Sequence, residues 1–132
     1  MRNLMVWSLL LGLAACASVK PLAVAPDKLN AYWLPAVSPP LEMVTFHGPV
    51  TACVLVEFTV SPSGKPHNLS AVTASQTEGP FVETALAHIR AQRFKPAPGN
   101  PTRVPATTRK AVNWVWEGWA QDNEVVLAKC AL

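Results

Sequence analysis

The sequence predicts an α+β domain in the order β-β-α-β, a three-stranded antiparallel sheet with one helix packed on one face. Apolar residues alternate along residues 52–60 and again along residues 109–117, which is typical of half-buried strands. Between them, residues 80–90 carry apolar side chains at helical spacing. With 132 residues, half of them apolar, and a formal net charge of +3, the chain suits one small domain and not a long disordered polymer.

Residues 52–60 carry the strongest strand pattern in the chain. One face of this strand is wholly apolar and consists of Val54, Val56, Phe58 and Val60. Turn chemistry follows at residues 61–65, where Pro62 presets φ and Gly64 tolerates a positive φ. Because residues 67–75 alternate again, though more weakly, the two strands are predicted to form a hairpin.

The predicted helix lies between Pro80, which suits the first helical position, and Lys95-Pro96, which ends it. Its apolar stripe consists of Phe81, Val82, Ala85, Leu86 and Ile89. Four prolines make residues 96–105 a loop. Residues 109–117 then form the third strand, whose apolar face consists of Val112, Trp114 and Trp116.

This order of elements constrains the sheet. If the sheet is antiparallel, the third strand must lie beside the first strand and not beside the second. The first strand, which is also the most apolar, is therefore predicted to be central. The second and third strands remain as the two edges.

Residues 1–15 have the pattern of a secretory signal peptide, with a positive start and an apolar run at residues 4–13 that is too short to span a membrane. The segment Leu13-Ala14-Ala15-Cys16 resembles the lipobox of bacterial lipoproteins. That resemblance implies cleavage before Cys16, a diacylglycerol on its sulfur, and, with Ala17 next, anchoring in the periplasmic face of the outer membrane. The alternative is an ordinary signal peptide cut after Ala15 that leaves Cys16 free.

Residues 16–47 are predicted to be a lipid anchor and a proline-rich tether, because prolines at positions 21, 26, 35, 39 and 40 disfavour regular structure. Within this tether, the apolar cluster Tyr32-Trp33-Leu34 is expected to pack back on the domain. At the other end of the chain, residues 119–132 form a tail of uncertain structure.

Cys53 and Cys130 remain once Cys16 is acylated. In an oxidising compartment they permit one disulfide, which would enclose 76 intervening residues. The alternative is two unpaired thiols, because Cys53 lies in an apolar run where cysteine packs as a small apolar side chain.

A distinctive series of short motifs runs through residues 48–118. The first strand ends in Phe-Thr-Val and leads into a Pro-Ser-Gly turn, and the second strand ends in Ala-Ser. The helix runs into Phe94-Lys95-Pro96-Ala97, and a Gly-Asn-Pro loop at residues 99–101 precedes the aromatic last strand. In this order, the motifs resemble the C-terminal domain of TonB proteins.

The resemblance implies a domain that adds an extended partner peptide to the edge of its last strand, by β-augmentation. The positions that match this edge are Lys110, Val112, Asn113, Trp114 and Trp116. The implied partner is a peptide of an outer-membrane transporter or of another envelope protein, in a role accessory to TonB-dependent transport. A strand-swapped homodimer is a further possibility, and so is an edge covered by the tail after Gly118.

The chain also departs from TonB proteins. In that family, an N-terminal membrane helix bearing a histidine couples the protein to a proton channel. Here the matching segment is a signal peptide without histidine. The resemblance therefore extends to the fold and the peptide-binding edge but not to the motor.

No residue pattern indicates an enzyme, a metal site or a cofactor. His47, His67 and His88 lie outside any metal-binding spacing, and Cys53 lies within a strand pattern and not at a helix start. A modest net charge in a periplasmic protein also argues against nucleic acid as a partner. An alternative function, an envelope structural protein that binds peptidoglycan or anionic lipid, rests on a basic stretch made of Arg90, Arg93, Lys95, Arg103, Arg109 and Lys110.

Overall fold

The computed structural model describes residues 19–117 and 122–132. The first half of this part contains β1 (Leu22–Ala23), a 3-10 helix (Pro26–Ala31), β2 (Trp33–Val37), β3 (Ala52–Val60) and β4 (Pro66–Ala74). The second half contains α1 (Phe81–Arg90), β5 (Arg93–Pro96), β6 (Ala106–Trp114) and α2 (Asn123–Ala128). The predicted α+β class is confirmed, but the number of strands is larger than predicted.

The main sheet has four strands in the order β1-β6-β3-β4. As predicted, β3 is central and pairs antiparallel with β4 and with β6. The predicted count of three strands is wrong, because β1 adds a fourth strand. Leu22 and Ala23 pair parallel with Ala106 and Thr107 at the start of β6. A two-residue strand carries no periodic signal of its own, so only its hydrogen bonds to β6 define it.

The two long edges of this sheet differ in regularity. β6 pairs with β3 in unbroken register from Ala106 to Trp114. β4 has two register shifts against β3, one between Leu55 and Val56 and one between Glu57 and Thr59. Bulges of this kind twist an edge and make it a poor template for another strand.

The apolar face of β3 forms the centre of the core. Val54, Val56, Phe58 and Val60 are each at most 1% exposed. α1 covers β3 and β4 on this face and buries Phe81, Ala85 and Ile89, three members of its predicted stripe. α1 ends at Arg90, earlier than predicted, because the chain turns and residues Arg93–Pro96 form β5.

Much of the segment that the proline content suggests to be a tether is folded. β2 pairs antiparallel with β5, with Trp33 opposite Pro96, and makes a second, two-stranded sheet. Trp33 is fully buried, and its indole N–H donates a hydrogen bond to the Val104 carbonyl oxygen at 2.9 Å. As expected, Tyr32-Trp33-Leu34 packs back on the domain. Residues 22–37, however, form strands and a 3-10 helix and not the semi-extended tether that was predicted. Burial of a large aromatic side chain outweighs the weak local preference for irregular structure.

A second helix covers the opposite face of the main sheet. α2 begins after Asp122, whose carboxylate accepts a hydrogen bond from the Val125 N–H. A small cluster on this face contains Leu55, Ala111 and Leu127 together with a disulfide between Cys53 and Cys130. The Cα atoms of the two cysteines are 6.1 Å apart. The structure thus contains the Cys53–Cys130 pairing and not two unpaired thiols, and residues of the tail after residue 121 pack on the sheet.

Gly64 in the turn between β3 and β4 supports the contact between the two sheets. Its φ is +81°, and its carbonyl oxygen accepts a hydrogen bond from the Phe94 N–H at 2.8 Å. A Cβ at this position would collide with the Phe94 carbonyl oxygen.

A strained backbone alone costs about 1–3 kcal/mol. We expect Gly64→Ala to lower the free energy of unfolding by more than this, because the collision with the Phe94 carbonyl oxygen adds to the strain. Urea denaturation measures the loss. Gly48→Ala is the matched control, since Gly48 also has a positive φ but has no heavy atom near the added Cβ. Equal losses for the two variants would contradict a contact between Gly64 and β5.

Candidate functional site

The outer edge of β6 presents backbone groups in a regular series. The N–H groups of Leu22 and Val24 donate to the carbonyl oxygens of Pro105 and Thr107, both at 2.9 Å. These oxygens therefore point away from β3. Because this direction repeats every second residue along a strand, the backbone groups of Arg109, Ala111 and Asn113 lie on the same outer edge.

β1 covers only the start of this edge. Its register ends at Ala23 opposite Thr107, after which the chain leaves the sheet and enters the 3-10 helix at Pro26. Within residues 19–117 and 122–132, no strand pairs with the outer edge of β6 beyond Thr107. We call residues 108–114 on this side the free edge.

The predicted edge residues divide into two groups. Lys110 and Asn113 are exposed on β6 and can contact a partner with their side chains. Val112 and Trp114 are 3% and 2% exposed and their backbone groups face β3, so they serve the core and not the outer edge. Trp116 lies after the end of β6 and is half exposed.

Trp114 is held by the chain on its core side. Its indole N–H donates to the Glu42 carbonyl oxygen at 3.0 Å, and its ring meets the Phe81 ring edge-on with centroids 5.2 Å apart. Substitution of Trp114 would therefore disturb the core before it could report on binding.

A cavity of about 430 Å³ opens beside the free edge, and we call it the edge cavity. Apolar side chains form most of its wall, among them Phe58, Phe94, Leu29, Pro26 and Pro35. The Phe58 and Phe94 rings are stacked with centroids 6.1 Å apart. Neither Leu29 nor Phe94 was among the site residues predicted from the sequence. For Leu29 the available signal was an apolar residue within a proline-rich segment.

Charges around the edge cavity are few. Arg109 donates to a Glu57 carboxylate oxygen at 2.9 Å, which is the ion pair found among the described residues. Lys110 and Asp27 also line the cavity.

Partial burial, and secondarily the positive charge of Lys110, lower the pKa of His88 below its ordinary value of 6.5.

The basic stretch is only partly free to bind an anion. Arg93 donates to the carbonyl oxygens of Arg90 and Gln92, at 2.8 and 2.7 Å. Arg103 donates to the Pro62 carbonyl oxygen at 3.2 Å, and Arg109 is paired with Glu57. Lys95 and Lys110 are exposed without a carboxylate partner in the described part of the chain.

The remaining predicted positions concern the N-terminus and metals. Cys16 and the signal peptide lie outside the described residues. In the part of the chain that the structure covers, no helix has the length and apolar character needed to cross a bilayer. Over the same residues, no group of histidine, cysteine and acidic side chains is arranged to hold a metal ion.

Comparison with known proteins agrees with the arrangement of β3, β4, α1 and β6. The chain is similar in fold to the solution NMR structure of Pseudomonas aeruginosa TonB CTD, with a TM-score of 0.54 and 14% sequence identity over 72% of this chain and 95% of that chain. At this identity the likeness concerns the fold alone. No curated protein sequence matches the chain. The family described as the Gram-negative bacterial TonB protein C-terminal matches residues 50–116, so the chain belongs to the TonB C-terminal domain family.

Proposed function

We propose that this protein is a periplasmic lipoprotein, anchored to the outer membrane through Cys16, whose TonB C-terminal domain binds an extended partner peptide by strand addition. The partner is a segment of an outer-membrane transporter or of another envelope protein, and the role is accessory to TonB-dependent transport. The observation that carries the proposal is the free edge of β6. A strand whose outward N–H and C=O groups lack a strand partner is a template for pairing with another chain.

The contrast between the two edges supports β6 as the binding strand. β6 keeps unbroken register over its length, whereas β4 is bent by two register shifts and begins with Pro66. An added strand needs evenly spaced partners along a straight edge, and proline removes a donor from the edge. Strand addition to β6 is therefore favoured over addition to β4.

The short strand β1 also supports strand addition at this edge. Leu22 and Ala23 pair with the start of β6 through backbone hydrogen bonds, so the chain itself uses this edge as a template. A partner peptide would continue along β6 from the point where β1 leaves.

The test is cross-linking in living cells from Asn113, replaced by a photo-reactive phenylalanine analogue. Asn113 is exposed on the free edge, so an added peptide would lie within reach. We expect irradiation to capture an envelope protein, and mass spectrometry to locate the link in an extended segment of it. Ala111→Pro, which removes one outward N–H, is expected to abolish the capture.

Val72 provides the matched control position. It is 41% exposed and lies at a register shift of β4, on the opposite edge of the same sheet. Capture of the same protein from Val72 with equal yield would contradict strand addition at β6. Capture of only the tail of this chain or of a second copy would show that the edge is occupied, and would also contradict the proposal.

A second function, binding of peptidoglycan or anionic lipid, is favoured by the two exposed lysines. Lys95 and Lys110 have no ion-pair partner among the described residues. The side chains of Arg93, Arg103 and Arg109 in the basic stretch make local hydrogen bonds, so this function has the weaker support. It would lead if Asn113 captured no protein partner.

A further inference from the structure

The end of the main sheet at which β6 begins is also where the N-terminal segment joins the sheet. Leu22 of β1 and Val60 of β3 both lie opposite Ala106, the first residue of β6. Three connecting segments therefore meet at this end, namely residues 19–21, the turn at residues 61–65 and the loop at residues 97–105. Side chains from all three segments line one groove of about 540 Å³.

The charged side chains of these three segments are all positive. They are Lys20, Lys65 and Arg103, one from each segment, and each is exposed. Among the residues that the structure describes, no carboxylate lies within ion-pair distance of any of them. Arg103 donates to the Pro62 carbonyl oxygen at 3.2 Å, a contact that holds the guanidinium on the turn without neutralising its charge. We call this surface the basic end.

The other end of the sheet carries the opposite charge. Trp114 donates to the Glu42 carbonyl oxygen, and the Trp116 N–H donates to the Thr51 hydroxyl, so the segments that flank β3 and β6 meet there. The segments described at this end contain no lysine or arginine, and they are residues 41–51, 75–80, 115–117 and 122–124. Their carboxylates are those of Glu42, Glu78, Glu117, Asp122 and Glu124. We call this surface the acidic end.

The proposed lipid would lie next to the basic end. Val19 is the first residue that the structure describes, and Cys16 precedes it by three residues. Val19 and Leu22 are 64% and 41% exposed, so two apolar side chains accompany the cations at this end. Cations attract anionic headgroups, and apolar side chains beside them enter the boundary between headgroups and acyl chains. The composition of the basic end therefore suits the surface of a bilayer.

We infer that the basic end docks on anionic phospholipid headgroups of the bilayer that holds the lipid, with the acidic end facing away from the membrane. The inference rests on the proposed lipid on Cys16 and goes further, because a lipid anchor alone does not fix the orientation of a domain. Attraction of the basic end and repulsion of the acidic end act in the same direction. The free edge of β6 would then run away from the membrane, with Thr108 nearest to the bilayer.

The experiment is photo-cross-linking of the full mature protein, purified from bacterial membranes and added to preformed vesicles. A photo-reactive phenylalanine analogue replaces one of two exposed threonines, Thr102 at the basic end or Thr77 at the acidic end. The vesicles are phosphatidylcholine with about one third phosphatidylglycerol, and mass spectrometry measures the phospholipid linked to the protein. We expect capture from Thr102 to exceed capture from Thr77 about tenfold or more, because each cation near an anionic surface contributes about fivefold.

The preference for Thr102 should depend on charge. In vesicles of phosphatidylcholine alone, capture from Thr102 should fall toward the level of Thr77, because the headgroups then carry no net charge. In about 0.5 M sodium chloride the screening length is only a few ångström, so the same fall is expected with the anionic vesicles.

A pair of double variants tests which cations are responsible. Lys20→Glu/Lys65→Glu should remove most of the preference for Thr102, since two of the three cations of the basic end are reversed. Lys110→Glu/Lys129→Glu is the matched control, because it makes the same change in net charge at two exposed lysines outside the basic end. The control should keep the preference.

The outcomes separate this inference from the proposed function. A mature protein whose mass shows no lipid on Cys16 would overturn both. Lipid on Cys16 with equal capture from the two threonines, or with a preference that Lys20→Glu/Lys65→Glu retains, would overturn the docking and leave the anchor intact. In living cells, capture of peptidoglycan fragments from Thr102 in place of phospholipid would also overturn the docking, and would favour binding of peptidoglycan.

Discussion

Trp33→Ala is expected to lower the free energy of unfolding by about 3–5 kcal/mol, the usual cost of removing a large aromatic side chain from a core. Trp33 is fully buried, and its indole N–H is bonded to the Val104 carbonyl oxygen. The variant would lose the packed ring and one of the two side-chain hydrogen bonds to the Val104 carbonyl oxygen, which also accepts from the Asn100 amide. A small domain has about 5–15 kcal/mol of stability in total, so the transition midpoint in urea should fall markedly.

Val37→Ala on the same strand is the matched control. Val37 is 51% exposed, and a substitution at such a position usually changes stability by about 0.5 kcal/mol or less. Similar midpoints for the two variants would mean that residues 22–37 are a tether after all. A large difference would establish the N-terminal segment as part of the folded domain.

Reduction of the Cys53–Cys130 disulfide is expected to cost up to about 4 kcal/mol of stability. The bond encloses 76 residues, and on the chain-entropy model a loop of that length strongly restricts the unfolded chain. The measurement is urea denaturation of the purified exported protein with and without a reductant. The sheet should survive, because its core of β3, β4 and α1 does not depend on α2.

The double variant Cys53→Ala/Cys130→Ala serves as the reference for the reduced state. It should match the reduced wild-type protein in stability and should not respond to reductant. An unchanged midpoint on reduction of the wild-type protein would argue that the two cysteines are free thiols in the exported protein.

The central elements of the fold are predictable because each carries its own local signal. The period-two pattern of Val54, Val56, Phe58 and Val60 matches a strand with one face in the core, and all four are buried. The order of elements then requires β6 to lie beside β3, as it does. The alternating directions of successive elements were sufficient to predict this pairing of β6 with β3.

The short strands β1, β2 and β5 could not be predicted, since their structure comes from distant contacts. β2 contains Pro35 and follows a 3-10 helix, so its local propensity is low. It exists because Trp33 is buried and because β5 lies opposite. In the same way, Lys95-Pro96 indicates the end of a helix but does not indicate that these two residues belong to a strand, β5.

The free edge was predictable in position but not in detail. Alternation along residues 109–117 identifies the strand and places Val112 and Trp114 on its inner face. It does not reveal that β6 begins at Ala106 or that β1 occupies the edge up to Thr107. The edge cavity was not predictable at all, because its walls come from separate segments that are spread from Pro26 to Leu132 in the sequence.

The folded N-terminal segment sets the height of the domain above the bilayer, given the proposed lipid on Cys16. A semi-extended tether over residues 17–40 would reach about 70 Å, enough to carry the domain deep into the periplasm. With β1 beginning at Leu22, only residues 17–21 lie between the lipid and the sheet, and five residues extend at most about 18 Å. The domain would then stand against the membrane surface, within reach of the short periplasmic segments of proteins embedded in that same membrane.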